Sequence, residues 1–264
     1  MKNWAIEAIS TEFIDGFRAR QIWGMLGWDD IRQRYRRSVL GPFWITLSMG
    51  VFILLLGIIY SRLFKIDIAT YLPYLSVGFI VWGFVSQTTN ESCRAFQEGD
   101  RILKQIKLPY GVYVLRVVWR NVIVFLHTIV LFVPIAIYFG IKPTWYIFLA
   151  VPGMFLVYIN QVWVAFVLAI LSSRYRDVVQ VITTIVQIAM FATPIMWVRD
   201  SIGDSAWVAD INPLFHLIEL VRAPLLGQAP PTLSWVVGIG TALVGTSLAL
   251  ALLARSSRRL VFWI

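Results

Sequence analysis

The chain has 264 residues, 59% hydrophobic, 15% aromatic and only 14% charged, with a formal net charge of +9. Soluble domains carry roughly a quarter charged residues and under half apolar ones, so this balance excludes an ordinary water-soluble globule. The single cysteine, Cys93, excludes an intrachain disulfide and points to no metal cluster.

Residues 1–39 contain no long apolar run, so no cleavable signal peptide of the usual form is expected. Between Phe17 and Tyr35 the apolar residues Phe17, Ile22, Trp23, Leu26, Ile31 and Tyr35 fall unevenly to one side. Arg18, Arg20, Arg32, Arg34, Arg36 and Arg37 fall between or after them. That pattern suits a helix lying in the membrane interface. Apolar runs follow at Leu40 to Tyr60, Tyr71 to Thr89, Val112 to Phe139, Trp145 to Leu171, Val178 to Val198 and Leu233 to Ala254. At about 1.5 Å per residue, runs of this length predict about six crossings of a hydrocarbon core of roughly 30 Å. The aromatic residues, 12 Trp, 10 Tyr and 17 Phe, suit anchoring at two membrane–water interfaces. One embedded domain is expected over 1–264, made of a cytosolic N-terminal segment (1–39), a six-span bundle (40–254) and a cytosolic tail (255–264).

Orientation follows from the basic residues. With the N-terminus inside, the inner segments hold most of the Lys and Arg, and the outer ones hold only Arg62, Lys65, Lys142, Arg199 and Arg222. The positive-inside bias then places both termini in the cytosol. It also accounts for the net charge without nucleic acid.

No catalytic motif is present: the chain has no G-x-x-x-x-G-K-[ST], no H-E-x-x-H and no G-x-S-x-G. His127 and His216 are far apart in sequence, and each reads as structural. No Asp or Glu falls in the middle of a predicted span, where an ion-coupled carrier would bury one. A membrane-embedded enzyme of lipid or glycan metabolism would need converging acidic or nucleophilic groups. The outer acids Asp67, Asp200, Asp204, Asp210 and Glu219 form no such motif.

Two inner segments stand out. After Gly99, the stretch Glu91 to Pro109 reads as a short amphipathic helix that Asp100 can cap and Pro109 ends. Ile102, Leu103 and Ile106 make one face, and Arg101, Lys104 and Lys107 the other. It is either a docking knob for a cytosolic partner or a solvated basic loop. Ser173-Arg174-Tyr175-Arg176-Asp177 is a tight charged turn, either a second contact or a plain connector. On the outer side, Asn212-Pro213 starts a helix well. Leu214, Leu217, Ile218 and Val221 give it an apolar stripe, Glu219 and Arg222 can pair, and Pro224 and Gly227 end it. A helix so short and apolar predicts a re-entrant or interfacial hairpin.

Five stretches carry a family resemblance. They are Arg34-Tyr35-Arg36-Arg37-Ser38-Val39-Leu40-Gly41-Pro42-Phe43-Trp44, Phe96 to Pro109, Ser173 to Asp177, Thr193-Pro194-Ile195-Met196-Trp197 and Asn212-Pro213-Leu214-Phe215-His216. In this order, over nearly the whole chain, they resemble the transmembrane permease subunit of ABC-2-type polysaccharide exporters, the O-antigen branch most of all. The resemblance implies an all-α membrane fold and a homodimer in the bacterial inner membrane. It also implies two copies of a separate ATP-binding subunit, which would hold the ATP and Mg, so this chain would carry no cofactor and no catalysis. Phe96, Gly99, Asp100, Arg101, Ile102, Leu103, Ile106 and Pro109 would form the coupling helix, and Arg174, Tyr175, Arg176 and Asp177 a second contact. The cargo would be a glycan on undecaprenyl diphosphate. Capsule or teichoic acid, or a drug or lipid, are the alternative cargoes.

A sugar polymer presents C–H faces that stack on aromatic rings and hydroxyls that need hydrogen-bond partners. Asn90, Asn121, Thr183, Thr184 and Gln187, with Tyr60, Trp82, Phe84 and Trp197, are the candidate path residues, although lipid-facing aromatics and interhelical hydrogen bonds would use the same types. A diphosphate needs cations, for which Arg32, Arg34, Arg36, Arg37, Arg116 and Arg120 are the candidates. The positive-inside bias and anionic lipid would draw arginines to the same places.

Overall fold

The computed structural model describes residues 9–36, 38, 41, 43–98 and 108–263. The expected coupling helix, with Gly99, Asp100, Arg101, Ile102, Leu103 and Ile106, lies outside the described residues, as does Arg37.

The described residues form helices and no strand. A π-helical turn, Ile9–Ile14, and a short helix, Asp15–Arg18, lead into α1, Arg20–Arg34. α2 is Phe43–Phe64 and α3 is Ile68–Ser92, whose first turn is capped by Asp67 accepting from Ala69 N at 3.2 Å. α4 is Tyr110–Thr128, prolonged through a 3-10 turn, Ile129–Leu131, into Phe132–Tyr138. Pro134 lacks the N–H that would bond Val130, and the chain tightens to 3-10 geometry just there. α5 is Ala150–Arg174 after a 3-10 turn, Trp145–Leu149. α6 is Val178–Ala192, α7 is Pro213–Leu225 and α8 is Thr232–Trp263.

Five helices among the described residues are long and apolar enough to cross a membrane, matching the first four expected spans and the last. α3 is the central one: 72% of its most apolar window is buried, against 11% for α2, which lies on the outside of the bundle. α2, α4, α5, α6 and α7 all pack on α3. Two apolar clusters result. One joins Phe96, Tyr113 and Phe166 to Leu253 and Leu260, near the end that holds the N-terminal segment. The other, toward the opposite end, joins Tyr71, Leu75, Ile195 and Ile218.

The fifth run departs from expectation. It is helical only to Ala192, and 15 residues cover about 22 Å, less than a hydrocarbon core of roughly 30 Å. Pro194 disfavours helical geometry in the residue before it, and Thr193 is extended (φ −95°, ψ 138°). The carbonyls freed by this break are met by side chains. Tyr74 donates to the Pro194 and Trp197 carbonyls at 3.1 and 3.2 Å, and Tyr71 donates to that of Met196. Arg222 Nη1 donates to the Pro194 carbonyl at 2.8 Å. Irregular backbone is stable in such a bundle only with partners of this kind.

Three boundaries also differ. α2 starts and ends later than the run Leu40 to Tyr60. α8 continues to Trp263 where a tail was expected, because residues 255–263 contain no Gly or Pro and Leu260 packs fully buried. α7 is capped as expected, with Leu214 N donating to Asn212 Oδ1 at 2.9 Å, but it runs through Pro224 to Leu225. Its stop is Gly227, whose φ of +84° suits glycine alone among common residues.

Candidate functional site

The best-defined polar constellation lies where the N-terminal segment crosses α4. The crossing needs two facing glycines. A Cβ on Gly111 would sit 2.6 Å from the Glu12 carbonyl oxygen, and one on Gly16 would sit 2.8 Å from Gly111 Cα. The contact is fixed at one edge by Tyr110 N donating to Glu12 Oε2 at 2.8 Å. From there α1 runs along α4, with Trp23 edge-on to Trp119 at 5.8 Å and Ile31 buried. Met25 and Trp28 stay exposed on its other side.

Arg116 and Arg120 are one turn apart on α4 and so share a face. Asp30 of α1 meets both: Oδ2 accepts from Arg116 Nε at 2.8 Å and from Arg120 Nη1 at 2.9 Å, and Oδ1 accepts from Arg116 Nη2. Glu91, in the last turn of α3, accepts from Arg120 Nη2 at 2.8 Å, from Asn121 Nδ2 at 2.8 Å and from Arg34 Nη2 at 3.0 Å. Glu98 completes the ring at 3.4 Å from Arg120. Arg34, Arg116 and Arg120 thus face Asp30, Glu91 and Glu98, an electrically balanced set with Arg120 only 5% exposed. Of the six arginines expected to meet a diphosphate, Arg34, Arg116 and Arg120 are therefore engaged by carboxylates. Arg32 and Arg36 of the same group are exposed.

The candidate coupling residues that are described gather at this same end. Phe96 is buried against Tyr110 and Tyr113, ring centroids 5.5 and 6.5 Å away, so it anchors its segment to the bundle. Pro109 is the N-cap of α4. Arg174, Tyr175, Arg176 and Asp177 form the exposed turn between α5 and α6, with Arg174 5.0 Å over Tyr175 and 5.3 Å over Trp263. Ser172 Oγ donates to the Cys93 carbonyl at 2.6 Å, which ties this turn to the approach of the 96–109 segment. Cys93 is 2% exposed, and burial pushes its thiol up to about 11. Since the thiolate is the nucleophile, a maleimide at pH 7 should leave the folded chain unlabelled and label it fully after denaturation. Rapid labelling of the folded chain would show that this corner opens.

The candidate path residues divide into two groups. Trp82 and Phe84 are buried in the core, with Phe84 5.8 Å from Phe125. Asn90 bonds its own helix at Ser86, and Asn121 belongs to the ion cluster. Tyr60 packs tilted against Phe64 at 5.5 Å, and Trp197 Nε1 donates to the Phe191 carbonyl at 3.0 Å. Thr183, Thr184 and Gln187 lie on α6, a helix with no buried residue. Trp82, Phe84 and Asn121 are thus buried within the bundle, whereas Thr184 and Gln187 are exposed on α6.

Sequence reading missed Asp30. The available signal was chemical: two arginines at the start of an apolar run need partners, and Asp30 sits on the helix expected beside them.

Two Klebsiella pneumoniae proteins, each named O-antigen export system permease protein RfbA, are 25% and 23% identical to this chain over 230 and 228 residues. Each alignment covers 83% of this chain and 87% of the relative. A Myxococcus xanthus protein of the same name is 22% identical over 198 residues, covering 74% of this chain and 76% of its own. Residues 21–226 match the ABC-2 type transporter family, and this helical, multi-pass membrane chain belongs to that family.

Proposed function

We propose that this chain is the permease of an ATP-driven exporter that carries a lipid-linked O-antigen polysaccharide across the bacterial inner membrane, with both termini cytosolic. The observation that carries the reading is the near end-to-end correspondence with permeases named for O-antigen export. The geometry supports a pair of chains. α6 buries none of its residues yet carries Thr183, Thr184 and Gln187 beside exposed Val181, Ile185 and Ile188. A second copy facing α6 would cover the apolar residues and place the polar ones along a shared path.

ATP and Mg belong, on this reading, to two copies of a separate subunit docked on the 96–109 segment and the Arg174–Asp177 turn. Changing Ile102, Leu103 and Ile106 together to Asp should abolish assembly with that subunit or uncouple its ATP hydrolysis from export. Normal export by this variant would reject the docking assignment. A diphosphate headgroup would be met by the exposed Arg36 and by Arg32, whose pairing with Asp29 at 3.9 Å is open to solvent, since Arg34, Arg116 and Arg120 already hold carboxylates.

The deciding experiment deletes the gene in its host. Intracellular lipid-linked polymer under a bare surface, restored by the wild-type gene, is the expected result. Unchanged surface polysaccharide would remove the glycan from the reading and leave an ABC-2 permease of other cargo.

A further inference from the structure

The end of the bundle opposite the ion cluster holds a cavity of about 700 Å³ between the start of α3, the 198–200 stretch, α7 and the start of α8. Its size falls within the roughly 300–1,000 Å³ of small-ligand sites. Its wall mixes apolar side chains, among them Phe215, Leu226 and Leu233, with charged ones that are paired to one another. Arg222, 1% exposed, lies 3.8 Å over the Tyr74 ring and donates through Nε to Glu219 Oε1 at 2.8 Å. Arg199 grips Asp210 with two bonds of 2.7 and 2.6 Å, and Asp200 with one of 3.0 Å. That grip holds the Asp210 carboxyl below the usual carboxylate range. His216 is fixed between the Asp210 carbonyl, 2.8 Å from Nε2, and Ser234 Oγ, 3.0 Å from Nδ1.

The wall selects a ligand class. Arg199 and Arg222 face Asp200, Asp210 and Glu219, so the lining has no surplus positive charge to attract a phosphate or other anion. A hydrocarbon chain would leave the second carboxylate oxygens of Glu219 and Asp200 without water or a replacement donor. Open hydrogen-bonding capacity remains: among the described residues Glu219 Oε2 accepts no bond, and Gln228 and Thr70 sit exposed on the rim. Carboxylate and guanidinium groups oriented by one another, with an exposed amide beside them, suit a neutral ligand with several adjacent hydroxyls.

We propose that this cavity is a saccharide-binding vestibule that takes one or two neutral sugar residues of the polymer as it emerges on the outer side. This rests on the polysaccharide reading above. Hydroxyl pairs would donate to Glu219 and Asp200 and accept from Gln228 and Thr70. Holding the leading sugars here disfavours backsliding of the chain between strokes, without any fixed charge in the membrane interior.

The test uses the complete exporter with its ATPase in lipid nanodiscs. The probe is the host's surface polysaccharide freed of its lipid by mild acid, and binding is measured by isothermal titration. Wild type should bind it. Glu219→Gln, which keeps one acceptor for Arg222 but replaces Oε2 with a donor, should weaken binding at least tenfold. Gln228→Trp, which fills the mouth from an exposed position, should do the same and serves if the first variant fails to assemble. Wild-type binding unaltered in an assembled variant would overturn the vestibule, as would no binding at all by an exporter whose deletion still strips the cell surface. Those results leave the export reading standing, because that reading depends on the deletion phenotype alone.

Discussion

Arg120→Met should destabilise the purified chain by about 1.5–3 kcal/mol, the scale of losing hydrogen bonds to charged groups that keep part of their compensation. Among the described residues Arg120, 5% exposed, is the one side chain that meets Asp30, Glu91 and Glu98 together, so its loss strips Glu98 of its cation and leaves Asp30 to Arg116 alone and Glu91 to Arg34 and Asn121. Glu98, 42% exposed, adds least, because water screens it. Arg120→Lys should fall between wild type and Met, since one ammonium cannot reproduce the guanidinium fork. Combining Arg120→Met with Glu91→Gln should recover part of the loss, as a coupled pair requires. The measurement is unfolding by denaturant in detergent. A loss below about 1 kcal/mol for Arg120→Met would place the cluster among solvated surface pairs and remove it as the joint between α1, α3 and α4.

Gly111→Val should detach the N-terminal segment from α4 while leaving the spans assembled. The added Cβ would meet the Glu12 carbonyl oxygen at 2.6 Å, and because that contact is backbone it cannot swing aside. Forced overpacking costs about 1–3 kcal/mol. When opening is fast, proteolysis follows the open population, so cleavage by trypsin at Arg18 and Arg20 should rise roughly tenfold for each 1.4 kcal/mol. Cleavage equal to wild type would show that the segment is not seated at this crossing. Phe13, Phe17 and Trp23 pack on the apolar cluster at this end, so unfolding by denaturant measured beside proteolysis separates seating from global stability.

Much of the architecture was legible because bilayer spans announce themselves locally. A run of twenty apolar residues must be helical, since no water is present to satisfy its backbone. α2, α3, α4 and α5 therefore sit where the runs placed them, to within a few residues, and α8 starts on its run but continues past it to Trp263. The Asn212 cap and the Glu219–Arg222 pair were also readable, because each involves residues at most three apart. The fifth run was misjudged as fully helical although Pro194 was in view. Apolarity measured the length of the run, while the break at Thr193 is stable only because Tyr71, Tyr74 and Arg222, from distant elements, meet its carbonyls.

By itself the sequence determined a helical membrane protein, the chain positions of its spans, its charge asymmetry and the absence of a nucleotide-binding loop. Those properties reside in consecutive residues and in composition. Only the tertiary structure decided that Asp30 closes a ring with Arg116 and Arg120, that α3 is central and α2 peripheral, and that Arg199, Asp210, Glu219 and Arg222 wall one cavity. Such arrangements depend on which faces of helices far apart in the chain come together. Where a spanning helix such as α2 or α3 is apolar nearly all round, hydrophobic periodicity gives little sign of the face that packs, so the partners of the few charged residues appear only in three dimensions.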